Sequence, residues 1–397
     1  MDAQAFPPIG ATMTSPDTSP TLARDAGAVD APHPSGPLAG YADWPAYLER
    51  TTPHRPGDER GDALARALGV RRPSAADIRV EHTWSNDGVD GSELSWQLPY
   101  GPRTRAWLLR PAGIRSALPG LLALHCHGGV RSVGAEQLVE TDRHPHPTAA
   151  RLRRDVYDGR APANDLARDG FAVLAHDTFS WGSRAFDLTG PTPRLAEHIA
   201  AREALWRERG EDPSAADRFD AISTLHEDSL AKAAGMLGSS LAGAVASDDL
   251  AALAVLAELP GVDPARLGTF GLSGGGGRAV LAAALDRRIS ATVVTCMMAT
   301  FASLVPAEID THSWLLHSPG IRSAGDWPEL ARPGRGQSVL VQYGRYDPLF
   351  PAAGMQAADA ALAGSAGYAG SFHDAGHVSS AAMQDEARAF LADRLRA

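Results

Sequence analysis

Gly271-Leu272-Ser273-Gly274-Gly275 follows the apolar run Arg266-Leu267-Gly268-Thr269-Phe270 and leads into Gly276-Gly277-Arg278-Ala279-Val280-Leu281-Ala282-Ala283-Ala284-Leu285. That order predicts a strand, a tight turn and a helix. A serine in such a turn needs small neighbours, because the backbone is sharply bent and its hydroxyl must emerge above the sheet edge. Backbone N–H groups at the start of the following helix then face any carbonyl that approaches it. With 40 glycines in the chain, a G-x-S-x-G string alone says little, and a glycine-rich turn that merely ends a strand is the plain alternative. The strand-turn-helix setting is what favours a nucleophile.

The rest of the chain sets the frame for that turn. Its 397 residues suffice for one large α/β domain with insertions, or two smaller domains. A core of that size needs no disulfide staples. A net charge of −10 without a basic stripe argues against nucleic acid or an anionic membrane as partner. Cys126 and Cys296 are the two cysteines, each at the end of an apolar run, and read as buried free thiols in a reducing compartment. The N-terminus shows no basic region followed by an apolar one, and no apolar run is long enough to cross a membrane. The expectation is a soluble, cytoplasmic protein.

Residues 1–38 are rich in Ala, Pro, Thr, Ser, Gly and Asp and read as a disordered leader. Residues 39–75 read as a helical N-terminal extension, carried by Trp44, Tyr47, Leu48, Leu64 and Leu68 and broken at Thr51-Thr52-Pro53. The main domain is placed at 76–397. Ile78–Trp84 and Arg103–Arg110 alternate as antiparallel strands do, with a glycine-containing turn region between them. Short apolar runs follow at Gly120–His125, Phe171–His176, Leu267–Gly271, Ile289–Cys296 and Ser338–Tyr343, as expected of parallel strands buried on both faces. Helical segments near 231–259, 276–286, 353–363 and 380–396 supply crossovers. The charged stretch at about 185–230 breaks this rhythm and reads as a helical insertion capping the sheet edge.

A serine hydroxyl needs a base, and the base needs an acid to orient it. In an open parallel sheet these belong on loops past the carboxyl ends of strands. Asp347 lies in Gly344-Arg345-Tyr346-Asp347-Pro348, just beyond one such run. His377 lies in Ser371-Phe372-His373-Asp374-Ala375-Gly376-His377, ahead of the last helix. Among 14 histidines His373 is the nearest rival, but it sits at a strand end, and Asp374 is too close in sequence to His377 to do more than shape the loop. Capping of the turn before Pro348 is the alternative role for Asp347. An oxyanion site takes the N–H of Gly274 and a second donor from Leu124-His125-Cys126-His127-Gly128-Gly129, with Gly129 first and Gly128 second. His125 and His127 have no nearby CxxC or carboxylate partner at metal spacing, so a metal is not expected, and acyl transfer by a serine requires no organic cofactor. Trp181, His312 and Trp314, with His317, fall on loops at the same edge and are candidate substrate contacts, although a tryptophan in such a place is more often a packed core aromatic than a ligand wall.

These segments resemble the α/β-hydrolase superfamily, in particular its dienelactone hydrolase-like and acetyl xylan esterase-like branch. The likeness rests on His127-Gly128-Gly129, Gly170–Asp177, Leu237–Gly243, Asp263–Gly268 leading to Ser273, Leu285–Ile289, Asp347-Pro348-Leu349-Phe350 and Gly376-His377, spanning about 103–396. The order Ser273, Asp347, His377 is that of the superfamily. The loop Thr178–Arg184 departs from the more glycine-rich, acidic version of the branch. The resemblance implies a mostly parallel sheet flanked by helices and an acyl-enzyme mechanism on a small-molecule carboxylic ester. The same three residues would also serve a carbon–carbon bond, a lactone or a peptide, and a non-catalytic or transferase protein on this scaffold is the remaining alternative. Homo-oligomerisation is left open.

Overall fold

A computed structural model describes residues 60–305 and 308–396. The leader at 1–38 and most of the N-terminal extension therefore lie outside the described residues. Nine strands form one sheet: β1 Ala76–Asn86, β2 Val89–Gln97, β3 Thr104–Pro111, β4 Leu118–Leu124, β5 Ala172–His176, β6 Val262–Leu272, β7 Ile289–Thr295, β8 Ser338–Gly344 and β9 Tyr368–His373. Their spatial order is β1-β2-β3-β5-β4-β6-β7-β8-β9. Strands β1, β2, β3 and β5 pair antiparallel, and β5 through β9 run parallel. Every residue of β4 and β5 is buried, which is why these strands read as unbroken apolar runs.

The stretch between β1 and β3 is not a turn region but a third strand, β2. Asn86 pairs with Val89, and Asp87 and Gly88 take φ of 48° and 75°, so the turn is a tight two-residue hairpin of the Asp-Gly kind. Two features disguised β2: its sequence, Val89-Asp90-Gly91-Ser92-Glu93-Leu94-Ser95-Trp96-Gln97, is largely polar, and it carries a glycine. Gly91 lies opposite Trp84, where any Cβ would run into the indole.

Helices cover both faces of the sheet. Arg60–Leu68, Leu241–Glu258 and Gly274–Leu285 bury Leu64, Leu68, Leu253, Leu256 and Leu281 on one side. Pro162–Arg168 and Ala381–Leu395 bury Leu166, Met383 and Leu391 on the other. The helical run expected over 231–259 is two helices, Ala215–Met236 and Leu241–Glu258, and the break is at Gly238, which has φ of 71°. Ser240 caps the second of these, accepting from Gly243 N–H. The insertion after β5 is a pair of helices, Pro193–Arg209 and Ala215–Met236. The fully buried residues of its second helix are Asp220, Ser223 and Glu227, with Leu230 packed half-buried against the core.

A buried charge cluster ties the sheet to the helix after the serine. Asp249 accepts from Arg278 Nη2 at 2.7 Å and Nε at 3.0 Å, and pairs with His176 Nε2 at 3.0 Å. Arg278 Nη1 reaches the carbonyl of His125 at 3.0 Å. Burial works to raise the Asp249 carboxyl, but Arg278 and His176 outweigh it and hold it below the usual carboxylate range. Arg278→Leu leaves Asp249, in a site that is 1% exposed, with His176 and the Thr178 hydroxyl on one oxygen and, among the described residues, nothing on the other, and is expected to cost about 3–5 kcal/mol in urea unfolding. A loss below about 1 kcal/mol would show that the cluster tolerates Asp249 without its guanidinium partner.

Candidate functional site

Ser273 sits between β6 and the helix Gly274–Leu285 with φ of 56° and ψ of −122°. A non-glycine residue held there costs about 1–3 kcal/mol and persists only where its surroundings over-determine it. The surroundings are visible. A Cβ on Gly271 would collide with the Gly275 backbone, and one on Gly275 would collide with the Leu124 carbonyl. Ser273 N–H donates to Thr295 O at 2.8 Å, tying the turn to β7. The spacing of glycines around the serine is therefore required by close backbone approach on both sides.

Asp347 and His377 come together past the ends of β8 and β9. His377 Nδ1 lies 2.8 Å from Asp347 Oδ2, and Asp347 Oδ1 accepts the Leu349 N–H at 2.9 Å. Both carboxylate oxygens are thus engaged. The loops that carry the pair touch at Gly344, where a Cβ would strike the Gly376 carbonyl. With Nδ1–H donated to Asp347, His377 keeps Nε2 for other work. His373 instead pairs with Glu386 at 2.9 Å, and Asp374 pairs with Arg345 at 3.1 Å. Neither rival contacts the Asp347–His377 pair.

Cys296 stands at the end of β7 with φ of 49°. Its Sγ lies 3.4 Å from Val378 O and 3.7 Å from Gly376 O, on either side of His377. Burial, reinforced by nearby Asp347, pushes the thiol up to about 12. Burial likewise pushes Cys126 up to about 11, and both are free thiols.

The turn His127-Gly128-Gly129 follows β4. Gly128 and Gly129 have φ of 63° and 66°. Gly129 N–H donates to His127 Nδ1 at 3.1 Å, so the first-choice loop donor is taken up by the imidazole. The backbone N of His127 lies 3.0 Å from where a Cβ on Gly274 would stand. Among the described residues the N–H groups of His127 and Gly128 have no protein acceptor. Gly274 opens its helix, where N–H groups lack intrahelical partners.

The remaining predicted contacts spread around this centre. Trp181 is 1% exposed, stacked under the Arg131 guanidinium at 3.9 Å and edge-on to His125 and His127. His312 donates from Nε2 to Leu349 O at 2.9 Å and packs on Phe350, whose ring stacks on His377. Trp314 is 38% exposed, with Nε1 on Asp228 at 2.8 Å. Sequence reasoning missed its neighbour Leu315, whose Cδ2 comes within 3.2 Å of the same Cβ position on Gly274. It also missed Arg131, Asp220 and Glu227. Asp177 is buried and accepts from Ala135 and Ser183 N–H groups at 2.9 and 2.8 Å, which fixes its loop.

A strand order with β3, β5 and β4 in that sequence, a strained serine between β6 and its helix, and an acid and a histidine beyond β8 and β9 define the α/β-hydrolase fold. Within it, the similarities of the chain lie with the acetyl xylan esterase-like branch. Residues 242–306 match the acetyl xylan esterase (AXE1) family model. YtaP of Bacillus subtilis (strain 168), carried under the general name hydrolase, is 26% identical over 350 residues, covering 84% of this chain and 98% of that protein. Acetyl xylan esterase 1 from Thermoanaerobacterium sp. JW/SL YS485 superposes with a TM-score of 0.50 at 16% identity, covering 88% of this chain and 98% of that one. Glucuronoyl esterase from Solibacter usitatus gives 0.54 at 14% identity, covering 85% and 92%.

The His377 contact has a direct spectroscopic consequence. A proton resonance far downfield, attached to His377 Nδ1, is expected in the native protein and should vanish in Asp347→Ala. Its survival in the variant would mean that the proton rests on another acceptor.

Proposed function

We propose that the protein is a carboxylic ester hydrolase working through an acyl-enzyme on Ser273. His377 takes the Ser273 proton through Nε2 as the hydroxyl oxygen attacks the ester carbonyl. The charge that develops on the carbonyl oxygen is met by Gly274 N–H together with N–H groups of the His127-Gly128-Gly129 turn. His377 then gives its proton to the leaving alcohol, and water repeats the sequence to free the acid. Asp347 holds the imidazole in the required tautomer and stabilises the cation that forms.

The observation that carries this reading is the 2.8 Å contact between Asp347 and His377 on the same sheet edge as a serine kept in a strained turn. The esterase names among the similar proteins support an ester as the bond cleaved. The chemistry needs no metal or organic cofactor, and the partner is a small-molecule ester.

Hydrolysis of p-nitrophenyl acetate and butyrate by the native chain beside Ser273→Ala tests the proposal, with intact mass after a fluorophosphonate probe. Turnover and one adduct are expected for the native protein and neither for the variant. Asp347→Asn should fold normally and lose about 100- to 10,000-fold in kcat. Absence of both adduct and turnover in folded native protein would reject the esterase reading. An adduct without ester turnover would move the reading to another bond.

A further inference from the structure

We propose that the helix Ala215–Met236 of the capping insertion positions the oxyanion turn through Asp220 and Glu227, making the insertion part of the acyl-transfer machinery. The proposal rests on the esterase reading above for its meaning, but its geometry stands by itself.

The buried residues of this helix are Asp220, Ser223 and Glu227, at 4%, 0% and 5% exposure. Spaced by three and then four residues, they share one helix face. A lid held by the hydrophobic effect would bury leucines there, and such contacts are non-directional. Carboxylates set in a low-dielectric interface require particular donors in particular places.

Those donors come from the segment that contains the oxyanion turn. Asp220 Oδ1 accepts the N–H groups of Arg131 and Ser132, both at 2.7 Å, and Oδ2 accepts the Ser132 hydroxyl at 2.9 Å. Two successive peptides are thereby fixed just after Gly129 and Val130. Glu227 Oε2 pairs with the Arg131 guanidinium and lies 3.7 Å from His127 Nε2. Its Oε1 takes the Trp314 N–H at 2.7 Å. Because His127 Nδ1 accepts from Gly129, the ring proton belongs on Nε2, facing Glu227. Glu227 lies beyond hydrogen-bond reach of His127 and acts on its ring through charge alone, His127 holds Gly129, and the turn, fixed mainly through Arg131 and Ser132, presents its remaining N–H groups beside Gly274. Burial works to raise the Glu227 carboxyl, but His127 and Arg131 outweigh it and bring it down to about 2. The clamp stays anionic across any ordinary assay pH.

Glu227 and Asp220 are positioning residues by this account, since neither reaches the reacting atoms. Small misplacement of a group far from the chemistry can cost about 100-fold in rate. Glu227→Gln and Asp220→Asn are accordingly expected to lower kcat on p-nitrophenyl acetate by about 10- to 100-fold, counted per serine labelled to completion by the fluorophosphonate. KM should stay within about threefold and the pH profile should keep its shape, because the Asp347–His377 pair is untouched and glutamine retains an oxygen for the Trp314 N–H. Glu227→Asp keeps the charge and should recover part of the lost kcat.

Amide hydrogen exchange gives a second readout that needs no activity. Peptides covering 127–133 should exchange faster in both variants, while those covering β6 to β8 keep their native rates. Faster exchange of the turn together with unchanged kcat per labelled serine would overturn the positioning role. Native exchange at 127–133 would overturn the clamp itself. Uniform loss of protection would identify ordinary destabilisation and likewise reject the proposal. A native protein without ester turnover fails the esterase reading, whereas the exchange result still decides whether the clamp exists.

Discussion

Ser273 occupies a backbone conformation that a side chain ordinarily avoids, and the strands around it are arranged to make that conformation unavoidable. β6 must pass close to the following helix, so Gly271 and Gly275 carry no Cβ where the Gly275 backbone and the Leu124 carbonyl press in. Thr295 O removes the Ser273 N–H from any competing turn. Cys296, with φ of 49° at the end of the neighbouring strand, is a second strained residue only one strand away. Strain at two adjacent strand ends is sustained by the burial of β4, β6 and β7 on both faces, where repacking would cost more than the turns do.

That constraint explains which parts of the site were legible. The elbow announces itself through small residues at fixed offsets, a local requirement written into five consecutive positions. Asp347 and His377 were legible because parallel strands deliver loops to a common edge, so position in the strand rhythm implies proximity without any knowledge of contacts. β2 escaped because its polar composition and Gly91 mimic a loop; the two-residue Asp87-Gly88 hairpin was the available signal. The helix break at Gly238 escaped for the opposite reason, since apolar residues continue on both sides of it.

Asp220 and Glu227 were not legible, and the reason is general. Their helix is charged along much of its length, and a charge on such a helix is ordinarily solvated. Only hydrogen-bond partners 87 to 96 residues away in sequence distinguish them. The spacing of Asp220, Ser223 and Glu227 does mark a polar face, but periodicity says that a face exists without saying what it meets. The turn past β4 was legible as a glycine-rich stretch with Gly129 as the first choice of donor and Gly128 as the second; its internal hydrogen bond was not, and in the structure the Gly129 N–H is held by His127 while the His127 backbone N stands beside Gly274.

Two buried charge systems flank the His127-Gly128-Gly129 turn. On one side Asp249, Arg278 and His176 fix the His125 carbonyl; on the other Asp220, Glu227 and Arg131 fix the peptides past Gly129. Trp181 lies between them, under Arg131 and edge-on to both His125 and His127. Burying this many charges is a poor way to add stability, because desolvation consumes most of the Coulombic gain. It is an effective way to make alternatives expensive: moving the loop leaves a carboxylate or a guanidinium unpaired in a dry interior. Apolar packing alone would tolerate small slides of the loop against its helix. The ionic arrangement penalises such slides in proportion to the charge exposed, and so holds the turn in one place against the elbow.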